Sequence, residues 1–327
     1  MLVLVTGGTG FVGAWSAKAA VDAGHRVRFL VRDPARLVTS AAALGLDTSD
    51  HVVGDITDAE SVRRALDGCD AVIHAAAVVA VDPRRAEEML QTNLAGAQNV
   101  LGTAVELALD PIVYVSSIAA LFQPGARLLT PELPVCGPPD AYGRSKARVE
   151  QYARDLQADG APIAITYPGM IVGPGNQFGE AAQAVEAAVH LRGLPGRSAA
   201  WTMVDVREVA SAHAALLEPG RGARRYMLGG PRIPIAGIAE MLGVITGKWM
   251  GVFPVPDAAL RLVGRLVDAV DRFVPIDTPI SEAAMEYYTR MPDTDDRPSE
   301  GELGVKYRDS AETLADTVAG LTEAGRL

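Results

Sequence analysis

Tyr142 and Lys146 lie four residues apart in a segment, 141–156, whose pattern predicts a helix. Residues four apart share one face of a helix, so the phenol and the ammonium are expected to be neighbours. The positive charge favours the phenolate, which suits a group that exchanges a proton with a substrate oxygen. Ser117 follows the apolar run 112–115 and could hydrogen-bond the same oxygen. A Tyr-x-x-x-Lys pair is common on helix surfaces, so the catalytic interpretation depends on the elements that position it.

A glycine-rich turn follows the apolar run 2–5 at the start of the sequence. Gly7 can take a tight turn, Gly10 lets the backbone approach a phosphate, and Gly13 permits close packing of a helix on a strand. The N-terminus of the helix that follows would favour negative charge. The spacing is G-x-x-G-x-x-G where the usual fingerprint is G-x-G-x-x-G, and an ordinary strand-to-helix turn could carry the same glycines. The helical rhythm of residues 14–21 favours a dinucleotide-binding turn.

The end of the second predicted strand, 26–31, indicates which dinucleotide is bound. An acidic residue there would hold the free ribose 2′-hydroxyl of NAD, whereas an arginine can pair with the 2′-phosphate of NADP. Val31 stands where the acid is expected and Arg32 follows it. We therefore predict NADP, with NAD as the weaker candidate. Arg36 is a second candidate contact, for which a solvated surface position is an equal alternative.

The order of the predicted elements indicates the fold class. Five strand-like runs before residue 117 alternate with helical patterns, and residues 162–167 form a further strand. This alternation is typical of parallel βαβ units. We predict an α/β fold with a Rossmann-type doubly wound parallel sheet and a smaller, mostly helical C-terminal domain. Residues 1–174 would bind the cofactor, and residues 175–327 would mainly bind the substrate.

Composition narrows the possible functions. The 327 residues are 49% hydrophobic, which is ample for a buried core. The net charge is −10 and no dense basic tract occurs, so we do not expect a nucleic-acid partner. Cys69 and Cys136 are far apart and lack metal-ligand neighbours, which indicates a reducing compartment and no metal site. The apolar start has no basic leader, so it predicts a core strand of a cytoplasmic protein.

Taken together, these motifs resemble those of an extended short-chain dehydrogenase/reductase of the NAD-dependent epimerase/dehydratase superfamily, over nearly the whole chain. The resemblance implies that Ser117, Tyr142 and Lys146 are catalytic. It also implies that the segment near 201–215 returns to the cofactor domain, and that Asn93 supports the active site unless it is simply a structural residue of its helix. The implied cofactor-binding residues are Gly7, Thr9, Gly10, Phe11, Val12, Arg32, Arg36, Asp55, Ile56, Ala75, Ala76, Tyr142, Lys146, Tyr167 and Pro168.

Within that family the pattern is most similar to dihydroflavonol-reductase-like ketone reductases. The similarity depends on the segment 31–34, on Pro168, and on Met170, which stands where sugar-nucleotide epimerases usually place an asparagine. It implies NADP-dependent hydride transfer between the nicotinamide and a carbonyl or secondary alcohol of a small substrate. Two alternatives stay open: an NAD(P)-dependent sugar-nucleotide epimerase or dehydratase, and a non-catalytic NADP(H)-sensing regulatory protein.

Two further segments bear on substrate and partners. The loop between Ser117 and Tyr142 has few charges, which suits either an apolar substrate or a stiff surface loop. Its apolar and proline residues are Leu121, Phe122, Pro124, Leu128, Leu129, Pro131, Leu133, Pro134, Pro138 and Pro139. The amphipathic segment 252–274 carries too many charges to span a membrane. We expect it to pack on its own protein, with membrane contact or a homodimer interface as alternatives.

Overall fold

The computed structural model describes residues 1–78, 86–136, 141–175, 179–271 and 280–327. Pro138, Pro139 and the end of the amphipathic segment, 272–274, lie outside the described residues. The strands in chain order are β1 Leu2–Thr6, β2 Arg26–Val31, β3 His51–Val53, β4 Ala71–His74, β5 Ile112–Val115, β6 Leu128–Leu129, β7 Ile163–Pro168, β8 Met170–Val172, β9 Gly193–Pro195, β10 Ala200–Asp205, β11 Arg224–Leu228, β12 Arg232–Pro234, β13 Gly251–Phe253 and β14 Asp293–Thr294.

The α-helices surround these strands. In chain order they are α1 Phe11–Asp22, α2 Pro34–Ala42, α3 Ala59–Leu66, α4 Ala86–Glu106, α5 Ala141–Ala158, α6 Glu180–His190, α7 Val206–Ala215, α8 Ile235–Thr246, α9 Asp257–Asp271, α10 Glu282–Arg290, α11 Arg297–Glu302 and α12 Ser310–Glu323.

The central sheet has seven parallel strands among the described residues, in the order β3-β2-β1-β4-β5-β7-β11. The predicted Rossmann-type α/β fold is confirmed. The strand order reverses between β1 and β4, so their carboxyl ends open a crevice where ligands bind in such sheets. This crevice lies beside the glycine-rich turn that follows β1.

The centre of the sheet is buried on both faces because its strands β1, β4, β5 and β7 are mainly apolar. Leu4 packs into a core formed with α3, α4 and α5, whereas Val3 and Val5 pack into a second core with α1 and α2. The opposite directions of these neighbours follow from the period of two in a strand. Helix α7 packs against α1, the helix that follows the glycine-rich turn.

Strand β11 was not predicted from the sequence. It pairs in parallel with β7 and forms one edge of the central sheet, although it lies well beyond residue 174. The rest of the C-terminal part has its own core around Trp201, Ile238 and Leu314, beside the small sheet of β8, β10 and β12. The cofactor-binding sheet is therefore completed by residues from the second half of the chain.

The amphipathic segment forms β13 and α9 and packs on α10. Leu260 faces inward, and Gly264 allows close approach because a Cβ there would lie 2.5 Å from the Ser281 carbonyl oxygen. The other apolar side chains of α9 behave differently: Leu262, Val263, Leu266 and Val270 are exposed. Most of the predicted apolar face is thus not covered by the described part of the chain.

Candidate active site

The carboxyl ends of β1 and β4 approach each other closely at the glycine-rich turn. Gly7 has φ +77°, and a Cβ there would lie 2.8 Å from the Ala76 nitrogen. A Cβ on Gly13 would lie 2.2 Å from the Gly7 carbonyl oxygen, so α1 can pack this tightly only with glycine. Gly10 is exposed and N-caps α1 without a side chain. Its missing side chain leaves the first-turn N–H groups of α1 accessible to an anion, which fits a dinucleotide pyrophosphate.

Thr6 connects the carboxyl ends of β1 and β4 through hydrogen bonds. Its Oγ1 lies 2.8 Å from His74 Nδ1 and accepts a hydrogen bond from the Ala76 N–H at 3.2 Å. Burial lowers the pKa of His74 to about 3, so the ring is neutral at physiological pH. Ala75 and Ala76, both partly buried, are thereby held against Gly7. Sequence reasoning missed Thr6, although its position at the end of the first strand was a usable signal.

The edge beyond β2 carries the residues that would distinguish the two dinucleotides. Arg32 is 71% exposed at its side chain, and its Nη1 lies 3.8 Å from Asp55 Oδ2. Asp33 is used locally: its Oδ1 accepts the Ala35 N–H at 2.9 Å and caps α2. Arg36 lies exposed in the first turn of α2. Two arginines therefore face solvent at this edge, while the nearest carboxylate in sequence serves a helix end.

The other residues assigned to the cofactor lie around the same crevice. Thr9 accepts a hydrogen bond from Ser40 Oγ at 3.0 Å through its carbonyl oxygen. Phe11 and Val12 begin α1 and are partly buried. Ile56 packs on α4 so closely that a Cβ on Gly96 would lie 2.4 Å from its Cδ1. These contacts fix the loops that border the crevice.

Lys146 connects helix α5 to the end of β5 through a hydrogen bond. It is 8% exposed, and its Nζ donates a hydrogen bond to the Val115 carbonyl oxygen at 3.1 Å. Nζ also lies 6.0 Å from the centroid of the Tyr142 ring, as the four-residue spacing predicts. Burial lowers the pKa of Lys146 to about 8. Lysine in this position is a cation beside the phenol at neutral pH.

Ser117 follows directly from β5 at the same end of the sheet. It is partly buried, and its Oγ accepts the Ala119 N–H at 3.2 Å, which caps the 3-10 turn Ile118–Ala120. Helix α5 packs on this turn. The fold thus brings Ser117, Tyr142 and Lys146 to one end of the sheet, although the sequence separates the serine from the other two.

Asn93 of α4 hydrogen-bonds both to the segment that follows β4 and to helix α5. Its Oδ1 accepts the Val78 N–H at 2.7 Å, and its Nδ2 donates to the Val78 carbonyl oxygen and to Ser145 Oγ, both at 2.9 Å. All three bonds link α4 to the segment after β4 and to the residue before Lys146. This arrangement is the geometry expected of a residue that supports the site.

Tyr167 and Pro168 end β7, and both are buried. The Tyr167 hydroxyl donates to Glu150 Oε1 at 2.5 Å and accepts from Arg154 Nη2 at 3.0 Å. The side chain of Tyr167 therefore lies in the core beneath α5. Any contact of residue 167 with a cofactor would come from its main chain.

The apolar loop after Ser117 contributes to the core more than to a pocket. Leu121, Phe122 and Leu129 are buried, and the Phe122 ring lies 4.7 Å from the Tyr287 ring of α10. Leu128 of the same loop is 40% exposed. The buried residues pack in the core, so they fit neither the apolar-substrate interpretation nor the surface-loop interpretation.

His213, Asp205 and Glu208 have structural roles. The His213 ring is buried and lies 2.8 Å from Ser16 Oγ and 3.0 Å from Thr166 Oγ1. Asp205 caps α7 in a capping box with Glu208 and also binds Arg207. Across the described segments, no cluster of three or more His, Cys, Asp or Glu could hold a metal ion. Nor is any helix in those segments both long and apolar enough to cross a membrane.

A family model described as NAD dependent epimerase/dehydratase family matches residues 3–229. The chain belongs to this family. The members include extended short-chain dehydrogenases/reductases, so the resemblance in the sequence motifs is confirmed, and the chain is an NAD(P)-dependent oxidoreductase by class.

Three proteins illustrate what this member of the epimerase/dehydratase family is similar to. A putative dihydroflavonol 4-reductase from Synechocystis sp. is 32% identical over 251 residues, which are 74% of this chain and 72% of the relative. Cinnamoyl-CoA reductase 1 from Oryza sativa subsp. japonica is 29% identical over 309 residues, covering 87% and 89%. UDP-glucose 4-epimerase from Stenotrophomonas maltophila, solved with bound NAD, is 21% identical with a TM-score of 0.78, covering 100% and 99%. The last likeness shows the shared fold.

Proposed function

We propose that this protein is an NADP-dependent reductase that transfers hydride between the nicotinamide and a carbonyl or secondary alcohol of a small apolar substrate. The observation that carries the proposal is the convergence of Ser117, Tyr142 and Lys146 at the sheet end beside the glycine-rich turn. Two relatives are named for a dihydroflavonol and for cinnamoyl-CoA, and these names support an aromatic carbonyl group as the reacting part of the substrate.

The proposed roles follow from the chemistry of each side chain. Bound NADP(H) supplies or accepts the hydride at C4 of its nicotinamide. Ser117 Oγ would donate a hydrogen bond to the substrate oxygen and polarise it. Tyr142 would give its phenolic proton to that oxygen during reduction, or take it back during oxidation. Lys146 would stabilise the phenolate that results, because its ammonium lies on the same helix face.

The cofactor proposal is tested by equilibrium binding of NADPH, NADP, NADH and NAD to the purified protein. We expect the phosphorylated forms to bind more tightly and the preference to disappear in Arg32→Ala. The same measurement on Arg36→Ala decides whether the second arginine contributes. Arg63→Ala, which removes an exposed arginine paired with Glu106 on another surface, is the matched control. Tighter binding of NAD by the unmodified protein would refute the NADP assignment.

The catalytic proposal is tested with Tyr142→Phe. We expect NADPH oxidation with aromatic ketones and aldehydes by the unmodified protein, and a loss of at least about 100-fold in kcat in the variant. NADPH affinity should stay within about threefold, because the phenol oxygen acts on the substrate. Undiminished turnover in Tyr142→Phe would exclude Tyr142 as the proton donor. Unmodified protein that binds NADPH but turns over no carbonyl compound would favour an NADP(H)-sensing role.

A sugar-nucleotide epimerase or dehydratase is the second candidate, since the matching family includes such enzymes. Met170 weakens this candidate. It lies partly buried in β8, where the epimerases usually place an asparagine, and its thioether is a poor hydrogen-bonding partner for a nucleotide. Copurified NAD, and conversion of a nucleotide sugar without net cofactor consumption, would support this candidate against the reductase.

A further inference from the structure

The face of α5 that carries the catalytic pair continues deeper into the protein. Tyr142, Lys146, Glu150 and Arg154 follow one another at four-residue intervals, and we refer to them as the α5 row. Glu150 is 0% exposed, and Arg154 lies mostly buried beside it. A fully buried carboxylate is costly unless other charges and donors compensate for it. Glu150 is not part of the proposed proton-transfer chemistry, so its retention in the core calls for an explanation.

One oxygen of Glu150 is well bound and the other is not. Oε1 accepts from Arg154 Nε at 2.7 Å and from the Tyr167 hydroxyl at 2.5 Å. In the described part of the protein, Oε2 is buried and has no hydrogen-bond partner. Arg154 also donates to the carbonyl oxygens of Leu133 at 2.8 Å and Pro131 at 3.1 Å, so its guanidinium is shared. These donors satisfy Oε1 and leave Oε2 uncompensated.

Among the described residues, the groups on β4 and β5 that lie near Lys146 are uncharged. On β4, burial lowers the pKa of His74 to about 3, so its ring is neutral. On β5, the Tyr114 ring lies 5.9 Å from Lys146 Nζ, and burial raises the pKa of its phenol well above the usual value. The Tyr142 ring of α5 also lies near the ammonium, with its centroid 6.0 Å from Nζ. Glu150 is the negative charge next to Lys146 in the α5 row.

We propose that Glu150 is a positioning residue for the reaction: its buried carboxylate keeps the Lys146 ammonium protonated beside Tyr142. Burial lowers the pKa of Lys146 to about 8, and the charge of Glu150 opposes that fall. Without Glu150 the lysine would be largely neutral at physiological pH. The phenolate of Tyr142 would then lose the cation that stabilises it. This inference depends on the proposed function for its consequence in catalysis, but the charge relation can be measured without turnover.

The sequence makes a direct measurement practical, because it contains only four lysines: Lys18, Lys146, Lys248 and Lys306. Protein labelled with ¹³C at the lysine ε-carbon is titrated by NMR without added cofactor, and Lys146 is assigned by its absence in Lys146→Met. In Glu150→Gln the side chain keeps its shape and an acceptor oxygen but loses its charge. We expect the pKa of Lys146 to fall by about one, which is a tenfold loss of proton affinity.

Tyr167→Phe is the matched control, since it removes one hydrogen bond from the same carboxylate and keeps the charge. We expect the pKa of Lys146 to stay within about 0.3 of the unmodified value in this variant. If Glu150→Gln does not fold, Glu150→Asp, which withdraws the carboxylate by one methylene, should give a smaller fall in the same direction. An unchanged pKa of Lys146 in the folded Gln or Asp variant would overturn the inference.

Kinetics separates this inference from the proposed function. If the reductase is active, the alkaline limb of its kcat profile should move to lower pH in Glu150→Gln by the same amount as the NMR titration, with KM for NADPH little changed. An unmoved limb in an active variant would refute the positioning role while leaving the reductase proposal intact. If no carbonyl compound is reduced, the NMR titration still decides whether Glu150 sets the charge of Lys146.

Discussion

At Gly13, the absence of a Cβ lets α1 pack closely on the turn that borders the cofactor crevice. A Cβ there would lie 2.2 Å from the Gly7 carbonyl oxygen, which is backbone and cannot move aside cheaply. We expect Gly13→Ala to lower the free energy of unfolding by roughly 1–3 kcal/mol and to weaken NADPH binding, because α1 must shift away from the turn. Urea unfolding and cofactor titration measure the two effects.

Gly301→Ala is the control for this substitution. Gly301 lies in α11, where an added Cβ meets nothing within 4 Å, so the substitution should be neutral or slightly stabilising. Equal destabilisation by the two substitutions would mean that the loss at Gly13 reflects a general effect of alanine and not the contact with Gly7.

Lys146 gives the residue-scale prediction for pH. Its pKa is lowered to about 8, so the ammonium is present below that pH and is lost as pH rises through it. We expect kcat for carbonyl reduction to be nearly constant from pH 6.5 to 7.5 and to fall by up to tenfold per pH unit above about pH 8.5. A rate that stays constant up to pH 10 would contradict the role assigned to the charge of Lys146.

At the scale of single elements, α9 provides two leucines that differ in burial. Leu260 is 7% exposed and Leu266 is 57% exposed. Leu260→Ala should cost roughly 2–4 kcal/mol of unfolding free energy, since it opens a cavity, whereas Leu266→Ala should cost less than about 1 kcal/mol. Urea unfolding of both variants at two protein concentrations makes the comparison.

The concentration dependence distinguishes the explanations for the exposed face of α9. If Leu266→Ala is as costly as Leu260→Ala at high concentration only, a second copy of the chain covers this face, as a homodimer would. A large cost at both concentrations would instead mean that the face is buried within one chain.

The sequence predicted those elements whose pattern is complete within a short window. The runs of β1, β2, β5 and β7 and the helix at Tyr142 were predicted close to their observed bounds. Strand β11 was missed because it begins with Arg224 and Arg225 and follows a turn rich in glycine, so no alternation marks it. Its place at the sheet edge depends on pairing with β7, which is a long-range contact that no local pattern encodes.

The site shows the same division between local spacing and tertiary contact. The turn glycines and the Tyr142–Lys146 spacing could be read directly, because each motif is local. The burial of Leu121 and Phe122 could not be predicted. A loop that packs on the core and a loop that contacts an apolar substrate have the same composition. Glu150 could have been noticed from its spacing to Lys146, but only the structure shows that it is buried beside Arg154.

On the scale of the whole molecule, elements from the second half of the chain pack among those of the first half. Helix α7 and strand β11 belong to the cofactor-binding layer, although they follow residue 174. The division into a cofactor domain at 1–174 and a mainly substrate-binding domain at 175–327 stays a proposal with these two elements as crossings. His213 of α7 lies between Ser16 of α1 and Thr166 of β7, so one ring joins the halves.

That ring should make the stability of the whole protein sensitive to acid. Burial lowers the pKa of His213 to about 3 in the folded protein, whereas an unfolded histidine titrates near 6.5. Between these values the unfolded chain binds a proton that the folded one excludes. The free energy of unfolding should therefore be unaffected above about pH 6.5 and fall below it, by up to about 1.4 kcal/mol per pH unit for this residue.

His213→Gln isolates this contribution, since an amide can still donate and accept but does not titrate. We expect the variant to be less stable at pH 7, because its bonds to Ser16 and Thr166 are less well made, and to lose stability less steeply between pH 6 and pH 4. His190→Gln is the control for the same change of side chain at an exposed position. Urea midpoints measured at half-unit pH intervals decide the matter. Parallel curves for His213→Gln and the unmodified protein would show that the junction between α1, α7 and β7 opens to water, or takes up its proton, before the protein unfolds.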